Sequence, residues 1–246
     1  MAIDTNKRST VGNLRITGSS TAAGGLYDRV KIVGEGIIEG DMTCSHLRCV
    51  GTLEMEGDLQ GGHIGIVGTF SLTGDLQTDR MKNSGTVSIR GDADIGTLTG
   101  SGTIEVKGRM QGTHIGVQGH IAADGDCEVD VFKLKGMFDI GGLLNAGEVD
   151  IRLFQASTVK EIGGEKIRIR KASLLNPLSL FFRPSAHAAV TASVIEGDDI
   201  YLEHTRAKVV RGNQVVIGPG CEIDLVEYKV LLEKKKGANV KESRKM

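Results

Sequence analysis

Apolar and polar residues alternate along most of this chain, in short runs that glycine interrupts at fixed intervals. Leu53, Met55 and Leu59 form one such run, and Phe70, Leu72 and Leu76 form the next. A period of two predicts β-strands whose side chains point alternately into a core and out to solvent. The runs superimpose on one another at a step of seventeen residues. Gly34, Gly51, Gly68, Gly85, Gly102, Gly119 and Gly136 keep that step without insertion, and Gly40, Gly57, Gly74, Gly91, Gly108, Gly125 and Gly142 follow six residues behind. Apolar columns share the register: Val30, Leu47, Ile64, Met81, Leu98, Ile115, Phe132 and Val149 in one, and Met42, Leu59, Leu76, Ala93, Met110, Cys127 and Leu144 in another.

Chemically alike residues at a constant step lie above one another when each repeat is one rung of a solenoid, because a rung buries its apolar side only against its neighbours. The pattern predicts an all-β chain, a β-solenoid with 17-residue rungs. Each turn is expected to hold about three short strands, with Gly and Gly-Asp pairs at the corners, and adjacent rungs to lie about 4.8 Å apart. About ten or eleven rungs make a rod on the order of 50 Å long. A helical array is excluded, since glycine every few residues costs about 1 kcal/mol each in a helix.

The organisation read along the chain is a flexible segment over 1–13, a β-helix core over 14–170, an interruption over 171–199, terminal rungs over 200–232 and a basic disordered tail over 233–246. The terminal rungs rest on Ile200 with Ile217 and Val209 with Val226, again seventeen apart. The interruption carries Pro177, Pro184 and the apolar string Leu174 to Phe182. This string is read either as a loop packed on the solenoid flank or as a lobe touching a membrane or partner through Leu178, Leu180, Phe181 and Phe182.

Glycine, at 35 of 246 residues with only three prolines, fits a fold with many tight corners. Net charge is −1, so no global field points to nucleic acid. Cys44, Cys49, Cys127 and Cys221 have no disulfide-framework spacing, which points to a reduced, cytoplasmic setting. The first thirteen residues hold no apolar secretory stretch, and no run of about 18 apolar residues predicts a spanning helix.

Candidate chemistry is sparse. His46, His63 and His114 share a column, and Cys44, His46, Cys49 and His63 are the one grouping with a ligand set suited to zinc. Cys44 and Cys49 fall in columns of apolar or small residues, where a thiol acts as a small hydrophobe, so no metal is expected. No nucleophile elbow, zinc-protease motif or Walker motif is present. The reading is a non-enzyme without cofactor. The alternative is a left-handed β-helix acyltransferase or γ-type carbonic anhydrase, supported by Ile217-Gly218-Pro219-Gly220 and the histidines; hexapeptide folds, however, keep multiples of six.

The strings VKIVGEGIIEGDM, LRCVGTLEMEGDL and IGIVGTFSLTGDL resemble rungs of the bactofilin family, the polymer-forming bacterial cytoskeletal proteins. GGLLNAGEVDIRL, IEGDDIYLEHTRAKVVRG and VVIGPGCEIDLVEYK are similar to the longer bactofilin-like proteins of Gram-positive bacteria. The resemblance implies a single-stranded, right-handed β-helix that forms nucleotide-independent filaments in support of cell shape, envelope organisation or motility. The implied partners are further copies of the chain, a paralogous bactofilin, and a peripheral contact with the inner face of the membrane or with an envelope protein. Physics points the same way: an end rung exposes unpaired backbone groups and an open apolar cross-section. Leu14, Ile16 and Leu26 at one end and Ile217, Ile223 and Val226 at the other are the expected polymer interface.

Overall fold

The computed structural model describes residues 12–172, 185 and 187–246. They form one parallel sheet that winds on itself, built from β1 (Gly12–Glu56), β2 (Leu59–Leu72), β3 (Leu76–Ile89), β4 (Ala93–Val106), β5 (Met110–Ala123), β6 (Cys127–Leu153), β7 (Ser157–Lys171), β8 (Val190–Leu202), β9 (Thr205–Ile217), β10 (Glu222–Lys234) and β11 (Asn239–Lys245). Each strand pairs only with its sequence neighbours, in the order β1 to β11. This is the expected β-solenoid. Its strands run on through the glycine corners, where separate short strands were expected, and break mainly at the Gly-Asp corners.

The seventeen-residue step is the pairing register itself. Met42 lies opposite Leu59, Leu59 opposite Leu76, Leu76 opposite Ala93, and Met110 opposite Cys127. Alternation fills the interior: the even-spaced side chains of β2 and β3 are buried and those between them face outward. Phe70, Phe132 and Phe138 are the largest buried side chains, and Phe132 meets Phe138 edge to face with ring centroids 6.2 Å apart. Within β1, Gly34 sits on the Gly18 carbonyl and Gly51 on the Gly34 carbonyl, so the first rung is one residue shorter than the next.

Three departures from strict periodicity follow from the corners. The step widens to nineteen and then eighteen where β6 meets β7, with Ile140 opposite Val159 and Leu144 opposite Ile162. Ser157 there is buried, and its hydroxyl accepts the Phe138 N–H at 3.1 Å. Between β8 and β9 the step falls to fifteen, because the corner is only Glu203 and His204, the latter at φ 47°. Ile200 therefore lies opposite Val215, and Val226 opposite Val210. The terminal rungs exist, but the expected pairs Ile200 with Ile217 and Val209 with Val226 do not stack.

Two boundaries move. The interruption closes at Val190, where β8 begins opposite Ser157. The stretch 233–246 is not a disordered tail, since β11 pairs with β10 from Glu222–Asn239 to Tyr228–Lys245. Val240 stacks over Ile223, and Lys241 reaches Asp224 at 2.8 Å. Leu178, Leu180, Phe181 and Phe182 lie outside the described residues.

Candidate assembly surfaces

The two ends of the rod differ. At the N-terminal end no described strand pairs with the outer edge of the first rung. Leu26 is 60% exposed and Leu14 half-buried, whereas Ile16, expected on the open face, is 4% exposed and belongs to the core. Between Gly12 and Tyr27, Arg15 is the only charged residue, so this edge carries a single charge, and among the described residues no strand pairs with its outer hydrogen-bonding groups. Such an edge is a template for another chain.

The other end is covered. Ile217, Ile223 and Val226 are buried, because β10 and β11 lie over them. They do not form an open face, contrary to expectation. The last edge is Asn239–Lys245, whose charged side chains pair back across the rung: Arg244 to Glu227 at 3.8 Å and to Glu242 at 3.3 Å. Charge on an edge strand discourages further pairing. Val230 and Leu231 remain exposed beside it.

Strand alternation separates the candidate metal ligands. Cys44 and Cys49 point into the core, where burial pushes each thiol up to about 11, while His46 and His63 point outward. The two imidazoles stack with centroids 5.2 Å apart and planes 11° from parallel. His114 lies three rungs beyond His63, between Thr97 and Val131. Ile217-Gly218-Pro219-Gly220 is a corner, where the Pro219 carbonyl accepts the His204 N–H at 3.0 Å. Among the described residues no group of three or more His, Cys, Asp or Glu is placed to hold a metal.

The Gly-Asp corner performs a structural task. Asp41 Oδ1 accepts the Asp58 N–H, Asp58 accepts from Asp75, Asp75 from Asp92, and Asp92 from Arg109, each at 2.8 Å. Every carboxylate thus clips one corner to the next. Arg109 also donates its guanidinium to Asp92 Oδ2 at 2.9 Å, and these contacts, the backbone N–H first, hold the Asp92 carboxyl below its ordinary range.

No family model matches this chain. YhbF of Bacillus subtilis, described as an uncharacterized protein, is 42% identical over 106 residues, 43% of this chain and 42% of that protein. YhbE of the same organism, also described as uncharacterized, is 45% identical over 91 residues, 36% of this chain and 37% of that protein. The chain thus spans less than half the length of either relative. No solved structure matches it.

Sequence reasoning missed a separation of charge. The outward columns of the wall containing His46 and Arg48 carry cations from Arg15 to Lys135 and no Asp or Glu, while the neighbouring wall carries the Asp row. Net charge conceals this arrangement. Summing the outward positions column by column at the seventeen-residue step reveals it.

Proposed function

We propose that this chain is a bactofilin-like scaffold protein that assembles end to end into filaments without nucleotide, at the inner face of a bacterial membrane or in the cytoplasm, in support of cell shape, envelope organisation or motility. The observation that carries the reading is the sparsely charged first rung, whose outer edge pairs with no described strand and where Leu26 is 60% exposed. A rod of stacked rungs ending in such an edge is completed by another rung, and a second copy supplies one. Covering an apolar side chain of this size contributes about 1.5–3 kcal/mol before entropy costs. The charged β11 edge makes the N-terminal end the stronger joint. The resemblance of the repeat strings to bactofilin rungs supports the cytoskeletal role.

The test is negative-stain microscopy and sedimentation of the purified chain without nucleotide, beside Leu26→Glu. Elongated polymers in the parent that shorten in the variant are the expected result. A monodisperse parent, or equal polymers from both proteins, overturns the reading.

A further inference from the structure

We propose that the flanks of the rod form a second interface, in which the basic wall of one molecule lies along the acidic wall of another copy. The contact is lateral and does not depend on the end joint.

The basic wall is built by parallel register. Arg29, His46, His63 and Arg80 stack in one outward column, and Lys31, Arg48 and Lys82 occupy the next, two residues along each strand. Lys133 and Lys135 extend the same wall. Over residues 13–135, eight rungs, the outward positions of this wall hold no carboxylate, and the wall is on the order of 35 Å long. Around the adjacent corner, the Gly-Asp column and its neighbour present Asp58, Asp75, Asp92, Asp94 and Glu128, with Arg109 as the one cation among them.

These charges are largely unspent. Among the described residues Arg15, Lys31, Arg48, Arg80 and Lys82 have no carboxylate within ion-pair distance, and Asp94 and Glu128 have no cation. The clipping carboxylates Asp58 and Asp75 use Oδ1 on the backbone, leaving Oδ2 for an outside partner. The later rungs handle charge differently. Arg170 pairs with Asp150 at 2.7 Å, Arg211 with Glu196 and Glu227 at 3.0 and 2.9 Å, and Arg206 with Glu222 at 3.2 Å. The same fold can therefore neutralise its charges across rungs; over the first eight, Lys107 pairs with Asp124 and Arg109 with Asp92 in this way, while Arg15, Lys31, Arg48, Arg80 and Lys82 of the basic wall pair with no described carboxylate.

A second copy is the occupant that matches. Both walls are laid out on the rung spacing, about 4.8 Å, so two rods laid side by side bring the cations of the rungs at Lys31, Arg48 and Lys82 against carboxylates at whole multiples of one common period. A lipid surface or a nucleic acid has no such period and would leave the acidic wall without a role. Net charge of −1 sets no long-range repulsion between copies. Because the contact joins two different walls, it does not close on a pair and propagates into rows.

The experiment uses the full chain carrying Leu26→Glu, so that end joints are suppressed and lateral association is read alone by sedimentation velocity. Association at about 50 mM salt that falls away by about 500 mM is expected, since exposed charges are screened over that range. Arg48→Glu with Lys82→Glu, and separately Asp94→Lys with Glu128→Lys, should each weaken association about tenfold or more while circular dichroism stays unchanged. Mixing the two variant proteins should restore it, because one then carries two acidic walls and the other two basic walls. Unchanged association in either variant, failure of the mixture to recover, or loss of binding to phosphatidylglycerol vesicles with self-association intact overturns the proposal. The last outcome assigns the wall to the membrane. Failure of Leu26→Glu to shorten polymers bears only on the end joint.

Discussion

Gly68 and Gly65 lie three residues apart in β2, and the solenoid predicts opposite consequences for giving each a methyl group. Gly68 is at φ +125°, on the carbonyl of Gly51, and a Cβ there would sit deep inside van der Waals contact with that oxygen. An L-residue held at such a φ costs about 1–3 kcal/mol. Parting the two rungs to relieve the clash removes about one inter-rung hydrogen bond, a further 1 kcal/mol or so. Gly65 faces outward on the open wall, where the nearest atom to an added Cβ, the Leu47 carbonyl oxygen, is 4.0 Å away. Gly65→Ala should be neutral or stabilising by up to about 1 kcal/mol, through the unfolded chain. Urea denaturation followed by far-ultraviolet circular dichroism should therefore separate Gly68→Ala from Gly65→Ala by about 2–5 kcal/mol. Equal stabilities would refute the stacked glycine corner, and with it the packing of rung on rung.

Further outcomes follow from the same geometry. Asp75→Ala removes the acceptor of the Asp92 N–H and should cost about 1 kcal/mol, whereas Asp75→Asn, which keeps an oxygen at that position, should cost little in the same denaturation assay. Phe138→Ala, deep in the core beside Phe132, should cost about 3–5 kcal/mol. Burial, followed by the nearby charge of Lys171, holds the His204 imidazole below its ordinary value of 6.5. The folded state thus prefers the neutral ring, and its contribution is complete above pH 6.5 and lost as pH falls below it. His204→Gly should flatten this acid dependence and relieve the strain of a side chain at φ 47°, measured as unfolding free energy against pH. Burial pushes the Cys127 thiol to about 12, so an alkylating reagent at mildly alkaline pH should leave it unmodified until the chain is denatured.

The seventeen-residue columns from Val30 to Val149 were legible because nothing there breaks the step. Where a corner changes length, the sequence misleads. A corner of two residues at Glu203 and His204 shifts every later position, so Val215 and not Ile217 lies over Ile200. The last strand was hidden for a different reason. Its lysines and arginines suggest a solvated tail, and their partners, Asp224 and Glu227, become neighbours only once the preceding rung is in place. That strand also covers Ile223 and Val226, which is why one expected end face does not exist. The opposed walls escaped notice because each contributes to a total that nearly cancels.

Each strand touching only the strands before and after it separates two properties that are coupled in most folds. The cross-section is fixed by side chains within a turn, and the reach of the molecule by how many turns there are. Excising 59–75, where corners and columns repeat faithfully on both sides, would shorten the molecule by about 4.8 Å and leave its profile intact. The same cut at 190–204 would also keep the register, because β8 and β9 run fifteen apart throughout, but it would remove the Glu203 carboxylate that accepts the Lys171 N–H. Length is thus free to vary by gain or loss of whole turns wherever the step is constant across the cut.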